Sequence, residues 1–403
     1  MWLPLFILIV AFAIILSLPG KDISFTEYSV KPYLPLKGAL AMNNKLNGAE
    51  RLFNGEMKGP ESLVVYNDEL YTGLHGGYIV KIEDDKIIPI KKFGKDCEGF
   101  HDEKNCGRVL GMKFDQNGIL YAADAYNGLY KLNVTSGKEQ LLVHANQIIA
   151  GKPCKLLNSV DVALDGTIYF TVSSTTIDLQ NGVYSMLSDG DGRLIKLDPA
   201  TGKFTVLIDN LQFANGVVLS SDESFVIVAE TIRSRIHRYY LKGPKKGTSD
   251  IFIEGLPGLP DNLKREGSTF LIPLLKPIEN NKAFLPHTLG EYAGIRKFLY
   301  TFLTLIDGTF ELLSESFPSS LFLKKAHHWV GHFESVDVFS HGTRVTVVLT
   351  NEAGDIVESL HSEHIGWYPE EAGISDICDI EPFRGYYYLG SPFNNYLARV
   401  KIS

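Results

Sequence analysis

Residues 110–143, LGMKFDQNGILYAADAYNGLYKLNVTSGKEQLLV, contain four short strand-like segments separated by turns. An apolar strand leads into an Asn-Gly turn, an aromatic strand follows, a third strand ends near a Lys-Leu pair, and a Gly-Lys turn precedes the fourth. Asn-Gly between alternating apolar residues is a strong hairpin signal. Residues 159–208 and 215–255 repeat this order. The repetition predicts an all-β fold built from one four-stranded unit.

The spacing of these units is typical of a β-propeller. Successive units start 46 to 57 residues apart, at Glu61, Leu110, Asn158, Asn215 and Asp261. A period near 50 residues with four strands per unit predicts propeller blades. A sixth start near Asp376 leaves room for only three strands, so we expect residues 47–53, NGAERLF, to supply the missing outer strand. The sequence therefore predicts a six-bladed β-propeller whose last blade is closed by the N-terminal part of the chain.

One interval in the repeat is too long. Asp261 and Asp376 are 115 residues apart, more than two units. Between them, residues 283–330 lose the strand alternation and show helical spacing of apolar residues such as Ile295 and Phe302. We expect a helical insertion in the fifth to sixth blade region. An amphipathic lid over one propeller face and a plain packing insertion both agree with this pattern.

The composition indicates a globular protein with an apolar N-terminus. The 403 residues carry a formal net charge of −8 and no basic block, so we expect no nucleic-acid partner. The apolar run from Trp2 to Leu16 predicts that residues 1–18 are a signal anchor or a signal peptide. We expect residues 19–40 to form a stalk and residues 41–403 the propeller.

The apolar N-terminus also predicts where the protein is found. An uncleaved anchor is favoured, which gives a single-pass type II membrane protein with a lumenal or extracellular propeller, in contact with the membrane through its N-terminal segment. Cleavage would instead give a secreted protein. Both alternatives place the chain in the secretory pathway.

Cysteines and a sequon suit that pathway. Cys97 and Cys106 flank a polar loop whose length suits a local disulfide, whereas the pairing of Cys154 and Cys378 is left open. Asn133 begins an Asn-Val-Thr glycosylation sequon after a strand-like segment. We therefore expect a glycoprotein with one local disulfide.

Oxygen-bearing side chains recur where four of the units begin. Each stands in the turn that leads into an innermost strand: Glu61, Asn158, Asn215, Asp261 and Asn262. Innermost strands line the central channel of a propeller, so these side chains can converge on the axis. A set of carboxylates and amides without Cys or His suits calcium. For any single residue a turn cap is the alternative, but the recurrence favours a calcium site.

Several strings resemble a known family. GPES, CGRVLG, ADAYNGLYKL, FANGVVLSSDESFVIVAET, LPGLPDN and YYYLGSPF are similar, in order and spacing, to the strictosidine synthase-like family that includes the adipocyte plasma membrane-associated proteins. The resemblance covers residues 59–403. It implies a place in a wider group of six-bladed propellers with paraoxonases, gluconolactonases and diisopropylfluorophosphatase, which hold calcium on the axis. It implies the same five calcium ligands as the residue pattern.

The sequence also departs from these enzymes. Leu110 stands where paraoxonase-like enzymes have a proton-shuttling histidine, and Asp376 is nearest to the sixth-blade glutamate of strictosidine synthases. Ser159 and Val172 each replace an aspartate that is common in relatives. The resemblance therefore implies an intact metal site with altered catalytic residues.

These observations predict a weak calcium-dependent hydrolase of small-molecule esters or lactones, similar to an arylesterase. The candidate catalytic residues are Glu61, Asp261 and Asp376. A membrane-tethered binding propeller with structural calcium is the first alternative, and amine–aldehyde condensation is the second. The i, i+4 pair His328 and His332 lies in the insertion without a His-Glu-x-x-His motif, so a surface or lid role is favoured over a metal site. The oligomeric state is not predicted.

Overall fold

Six small antiparallel sheets follow one another around a central channel in a computed structural model, which describes residues 23–278, 284–337, 344–363 and 373–402. The strands of each blade are given from the innermost outwards. Blade 1 contains Leu63–Tyr66, Glu69–Leu74, Tyr78–Glu83 and Lys86–Lys92. Blade 2 contains Val109–Phe114, Ile119–Asp124, Gly128–Asn133 and Glu139–His144, and blade 3 contains Leu156–Val162, Ile168–Ser174, Gly192–Asp198 and Lys203–Leu211. A two-stranded hairpin, Ile148–Ile149 with Lys152–Pro153, lies between blades 2 and 3.

The remaining blades include one split strand and one strand from the N-terminal part of the chain. Blade 4 contains Ala214–Leu219, Phe225–Glu230, Arg235–Tyr240 and Ser249–Glu254. Blade 5 begins with two short inner strands, Gly258–Pro260 and Lys264–Glu266, and continues with Thr269–Pro277, Arg344–Thr350 and Ile356–Glu363. Blade 6 contains Asp379–Phe383, Tyr386–Gly390, Leu397–Lys401 and, as its outermost strand, Glu50–Leu52.

The pairing of Glu50–Leu52 in blade 6 confirms that the N-terminal part of the chain supplies the missing outer strand. Arg51 pairs with Ala398 and Leu52 with Leu397 in an antiparallel register. Arg399 also donates hydrogen bonds to the Glu50 carboxylate. The N-terminal strand thus covers the edge of blade 6, which would otherwise expose unpaired backbone groups.

Local turn chemistry and aromatic packing stabilise the blades. The hairpin between the first two strands of blade 1 turns at Asn67 and Asp68, whose φ angles of 48° and 59° are those of a type I′ turn. Between blades 4 and 5, the rings of Phe225, Phe252 and Phe270 pack together with centroids 5.6 to 6.3 Å apart. Burial of each such ring contributes about 1.5–3 kcal/mol.

The helical insertion lies inside blade 5, between its second strand and its third. Within the described residues the helices are α1 (Glu103–Cys106), α2 (Leu285–Thr288), α3 (Ala293–Ser316), α4 (Leu321–Gly331) and α5 (Glu334–Asp337). Short 3-10 segments span Gly38–Leu40, Phe100–Asp102, Leu179–Met186, Thr231–Arg233 and Leu289–Glu291. The side chain of Ser320 accepts a hydrogen bond from Leu323 N and caps α4. The spacing of blade starts could not separate an insertion within blade 5 from one between blades 5 and 6.

The segment predicted as a stalk is described from residue 23, and it packs along the insertion. Thr26 N donates to the Asp189 carboxylate, and Tyr28 N donates to Gly290 O at 2.9 Å. The ring of Tyr28 lies under the guanidinium of Arg233, 3.4 Å from its carbon. Residues 23–40 therefore connect the propeller with the helical insertion.

The predicted anchor, residues 1–18, lies outside the described residues. Within residues 23–278, 284–337, 344–363 and 373–402, no helix has both the length and the apolar character needed to span a membrane.

Candidate functional site

A cavity of about 900 Å³ opens at one end of the central channel. Four predicted site residues line it: Glu61, Asn158, Asn215 and Asp261. Each has at most 5% of its surface exposed. The structure thus brings four side chains from blades 1, 3, 4 and 5 to one place.

Close packing between the inner strands positions these residues. A Cβ atom on Gly216 would lie 2.5 Å from Asp261 O, and one on Gly111 would lie 2.4 Å from Asn158 O. Both distances are shorter than a carbon–oxygen contact allows. Glycine at these positions therefore lets neighbouring blades approach closely at the level of the site.

The residues that directly follow three of these side chains line a second cavity. Ser62, Ser159 and Asn262 face a space of about 740 Å³ together with Lys264 and Asp379. Adjacent residues of an extended chain point in opposite directions, which accounts for the separation. Asn262 was predicted to bind calcium with Asp261, but the structure places it on the second cavity. Asp261 and Asn262 are adjacent in sequence and both carry side-chain oxygens, so both were predicted as ligands. Because adjacent side chains of an extended chain point in opposite directions, only Asp261 faces the first cavity.

Three buried oxygen atoms of the first cavity accept no hydrogen bond from the described part of the chain. They are Asn158 Oδ1, Asn215 Oδ1 and Asp261 Oδ1. Burial, together with the nearby negative charge of Glu61, raises the pKa of Asp261 well above its usual range. A buried polar atom without a partner costs about 1–3 kcal/mol. The arrangement is therefore suited to a bound cation or to water molecules that satisfy these oxygens.

Glu61 is paired with an arginine that sequence analysis missed. Its Oε2 accepts hydrogen bonds from Arg108 Nε at 3.2 Å and Nη2 at 3.1 Å. Burial raises the pKa of Glu61 to about 7, although the charge of Arg108 opposes the shift. Arg108 is itself buried and donates through Nη2 to Pro392 O at 2.6 Å.

Arg108 also reaches a second buried carboxylate, Glu103. Arg108 Nη1 lies 3.4 Å from Glu103 Oε1, and the Tyr126 hydroxyl donates to Glu103 Oε2 at 3.3 Å. Burial alone would raise the pKa of Glu103, but hydrogen bonding from His332 and the charge of Arg108 outweigh it and lower the value to about 2. Glu103 is therefore an anion that bridges Arg108 and His332.

The disulfide fixes the segment that carries Glu103. Cys97 and Cys106 are bonded, with Cα atoms 5.3 Å apart, as predicted. Glu103 begins α1, and Cys106 ends it.

Cys154 and Cys378 are buried free thiols. Asn133, the predicted glycosylation site, ends a strand of blade 2, and its Oδ1 accepts a hydrogen bond from Thr135 N.

Asp376 is not among the residues that line the cavity. Its carboxylate accepts a hydrogen bond from Lys276, and Lys276 is the residue that reaches the cavity wall. Asp376 has a positive φ of 56° and precedes the first strand of blade 6. Its predicted catalytic role thus finds no support in the geometry.

Apolar side chains form most of the remaining wall. Leu110, Leu179, Phe213 and Ile232 come from the propeller, and Phe333 comes from the insertion. Leu110 lies on the cavity, where it cannot transfer a proton. The cavity thus has oxygen-bearing side chains at its base and mostly apolar side chains on its sides.

The donor set fits calcium. Carboxylate and amide oxygens are the ligands that calcium prefers, and it takes six to eight of them. Glu61, Asn158, Asn215 and Asp261 would hold the ion, and the three unpaired oxygens supply the observation that favours it. Arg108 reduces the negative charge that Glu61 offers, so the affinity should be lower than for two free carboxylates.

Solved structures similar to this chain share its fold. A gluconolactonase from Xanthomonas campestris has a TM-score of 0.53 at 13% identity, over 96% of this chain and 99% of that one. A putative gluconolactonase has a TM-score of 0.50 at 12% identity, over 88% of this chain and 93% of that one.

Sequence comparisons identify the family. The family described as Strictosidine synthase matches residues 158–244, and Strictosidine synthase-like, N-terminal, matches residues 38–82. Adipocyte plasma membrane-associated protein Hemomucin of Drosophila melanogaster is 39% identical over 97% of this chain and 67% of its own length. The human adipocyte plasma membrane-associated protein is 33% identical over 91% of this chain and 81% of its own length. The chain therefore belongs to the adipocyte plasma membrane-associated protein family of strictosidine synthase-like propellers.

Proposed function

We propose that the chain is a calcium-dependent hydrolase of esters or lactones that carry apolar groups. The observation that carries the proposal is the set of unpaired oxygens of Asn158, Asn215 and Asp261 beside Glu61, on the floor of an apolar cavity. The fold shared with gluconolactonases is consistent with this chemistry.

The side chains of the cavity have distinct roles in this proposal. A bound calcium ion would polarise the substrate carbonyl and stabilise negative charge on its oxygen. Leu110 and Phe213 would hold the apolar part of the substrate and exclude water from it. Asp261 or Glu61 would serve as the general base for an attacking water molecule. Because Leu110 replaces a proton-shuttling histidine, we expect slow turnover.

The experiment uses the purified full chain with aryl esters and with lactones of increasing chain length. Hydrolysis should require calcium, stop on chelation, and fall about 10-fold or more in Asn215→Ala. Asn262→Ala is the matched control, because it removes an amide from the second cavity. Activity that persists both after chelation and in Asn215→Ala would rule out the proposed mechanism.

A membrane-tethered binding propeller is the second candidate function. The insertion exposes many large apolar side chains, which are 37–75% accessible: Leu285, Tyr292, Ile295, Phe302, Leu305, Leu312, Leu313, Phe317, Leu321, Phe322 and Trp329. Phe25 packs against Tyr300 of the insertion with ring centroids 5.5 Å apart, and we propose that the N-terminal segment before it contacts the membrane. The plasma membrane-associated names of the relatives agree with this location.

Vesicle binding tests the second candidate. A chain that begins at residue 23 should sediment with lipid vesicles, and Phe322→Glu should weaken that binding. Leu164→Glu is the control. Leu164 is 68% exposed and follows the inner strand of blade 3 at the end opposite to Asn158, which lines the cavity with Phe333 of the insertion. Equal effects of the two changes would argue against a membrane-binding insertion. The remaining alternative, amine–aldehyde condensation, rested on Asp376 as the acid and base, and Asp376 does not line the cavity.

A further inference from the structure

Two buried histidines and a glutamate meet where the insertion returns to the propeller. His328 lies in the last turn of α4, His332 directly follows that helix, and Glu334 begins α5. The sequence favoured a surface or lid role for His328 and His332. They are 5% and 6% exposed, so the surface role is wrong for both, and the lid role stays a prediction. These residues are separate from the four oxygen-bearing side chains of the proposed calcium site.

The three side chains have the spacing of ligands around one small cation. One possible ligand atom from each residue lies within 4.8 Å of the others. His328 Nε2 is 3.2 Å from Glu334 Oε2, and the two imidazole rings have centroids 4.3 Å apart. Neighbouring ligands of a tetrahedral zinc ion are about 3.3 Å apart, given zinc–nitrogen bonds of about 2.0–2.1 Å. Only small side-chain movements are therefore needed for all three to bind.

The opposite ring nitrogens face hydrogen-bond acceptors. His328 Nδ1 is 2.9 Å from Gln180 Oε1, and His332 Nε2 is 3.5 Å from Glu103 Oε2. A metal-binding histidine usually donates its other N–H to a carboxylate or carbonyl oxygen, which fixes the tautomer and the ring. With these protons on His328 Nδ1 and His332 Nε2, the lone pairs of His328 Nε2 and His332 Nδ1 are left to bind a metal ion. The ion would replace the 3.3 Å hydrogen bond that His332 Nδ1 accepts from Glu334 N.

The chemistry of the cluster selects one class of ion. Two imidazoles with one carboxylate form a zinc-type ligand set, whereas calcium prefers oxygen alone. Three protein ligands leave a fourth position for water or another ligand. His332 and Glu334 also line the cavity described above.

We propose that His328, His332 and Glu334 form a zinc-type metal site at the base of the insertion. The ion would join the end of α4 to the start of α5. Through Gln180 and Glu103 it would also fix both helices against blades 3 and 1–2. The site would thus hold the insertion over the cavity, whatever reaction the cavity performs.

The test measures metal binding by the full chain. Protein stripped by a chelator is given zinc, and the bound metal is measured by elemental analysis and by competition with a zinc-binding dye. Cobalt substitution adds a visible spectrum that distinguishes tetrahedral nitrogen–oxygen coordination from a loosely bound aqueous ion. We expect one equivalent of zinc that excess calcium does not displace.

The variants distinguish this site from general histidine binding. Zinc should be lost in His328→Ala and in the nearly isosteric Glu334→Gln, and should bind about 10- to 100-fold more weakly in Gln180→Ala. His327→Ala is the matched control, because the neighbouring His327 instead contacts Asp307, with Nδ1 and Oδ1 2.9 Å apart.

Three results would overturn the proposal. They are no zinc retained by the unmodified chain, equal retention by the chain and Glu334→Gln, or equal loss in His327→Ala and His328→Ala. Circular dichroism of the metal-free variants shows whether each is folded. Glu334→Gln, which changes little in shape, decides the matter if His328→Ala does not fold.

Discussion

Arg108 should control how strongly the fold depends on calcium. Its guanidinium pairs with Glu61 at 3.1 Å and with Glu103 at 3.4 Å, and all three side chains are at most 7% exposed. Arg108→Met keeps the length of the side chain but leaves two buried carboxylates without their shared cation. Removing one partner from a buried ion pair costs about 3–5 kcal/mol. With an unfolding entropy of about 2.1 cal/mol/K per residue over 403 residues, the melting temperature should fall by about 5 °C.

Calcium should restore part of this loss, because a cation beside Glu61 replaces the charge of Arg108 there. The assay is thermal unfolding of the full chain and of Arg108→Met, with calcium and with chelator. We expect calcium to raise the melting temperature more in the variant than in the original chain, and Asn215→Ala in the same background to remove that gain. Arg384→Met, which breaks an exposed pair with Asp68, should leave the melting temperature unchanged. An equal calcium effect with and without Arg108 would refute the reasoning.

Three further changes test other parts of the structure. Burial, followed by the charge of Arg344, lowers the pKa of His361 to about 4. The stability that neutral His361 contributes should therefore be lost as the pH falls from about 6.5 through 4. Thermal melts of His361→Gln should show a smaller decrease in melting temperature over that pH interval than melts of the original chain. Replacing Cys97 and Cys106 with serine should lower the free energy of unfolding by about 2.5–3 kcal/mol, because the disulfide closes a loop with a sequence separation of 9. Denaturant unfolding measures this change, and an unchanged midpoint would contradict it. A chain that begins at residue 56 lacks the closing strand and should elute as aggregates, whereas one that begins at residue 41 keeps that strand; equally monomeric elution of the two would show that closure is dispensable.

The sequence predicted the propeller and its closure because both depend on local patterns. Asn-Gly or Asp-Gly hairpins and Gly-Lys turns recur in blades 2 and 3, and a strand follows each unit start at a similar spacing. The shortage of strands after Asp376 predicted that another part of the chain completes the last blade. The same reasoning placed Glu61, Asn158, Asn215 and Asp261 at equivalent positions, which the structure brings to one cavity. Their role as calcium ligands stays a proposal.

Other features depend on contacts that no local pattern encodes. Arg108 stands at the start of blade 2, but its pairing with Glu61 and Glu103 follows from how blades 1 and 2 pack. His332 reaches Glu103 only because the insertion folds back over the channel. Arg108 offers no oxygen ligand, so the pattern of oxygen-bearing side chains did not include it, although CGRVLG places a charged residue beside an inner strand.

The closing strand also sets an order for folding during synthesis. Glu50 and Arg399 are hydrogen-bonded across a separation of 349 residues. At a translation rate of about 5–20 residues per second, roughly 20–70 s pass before the ribosome completes the partner of a strand that it made first. Throughout that interval the early blades can form their own hairpins, but the ring stays open. The nascent chain therefore has unpaired strand edges at both ends of the open ring, which must be protected from pairing with other chains. The ring can close only after the last blade has been translated.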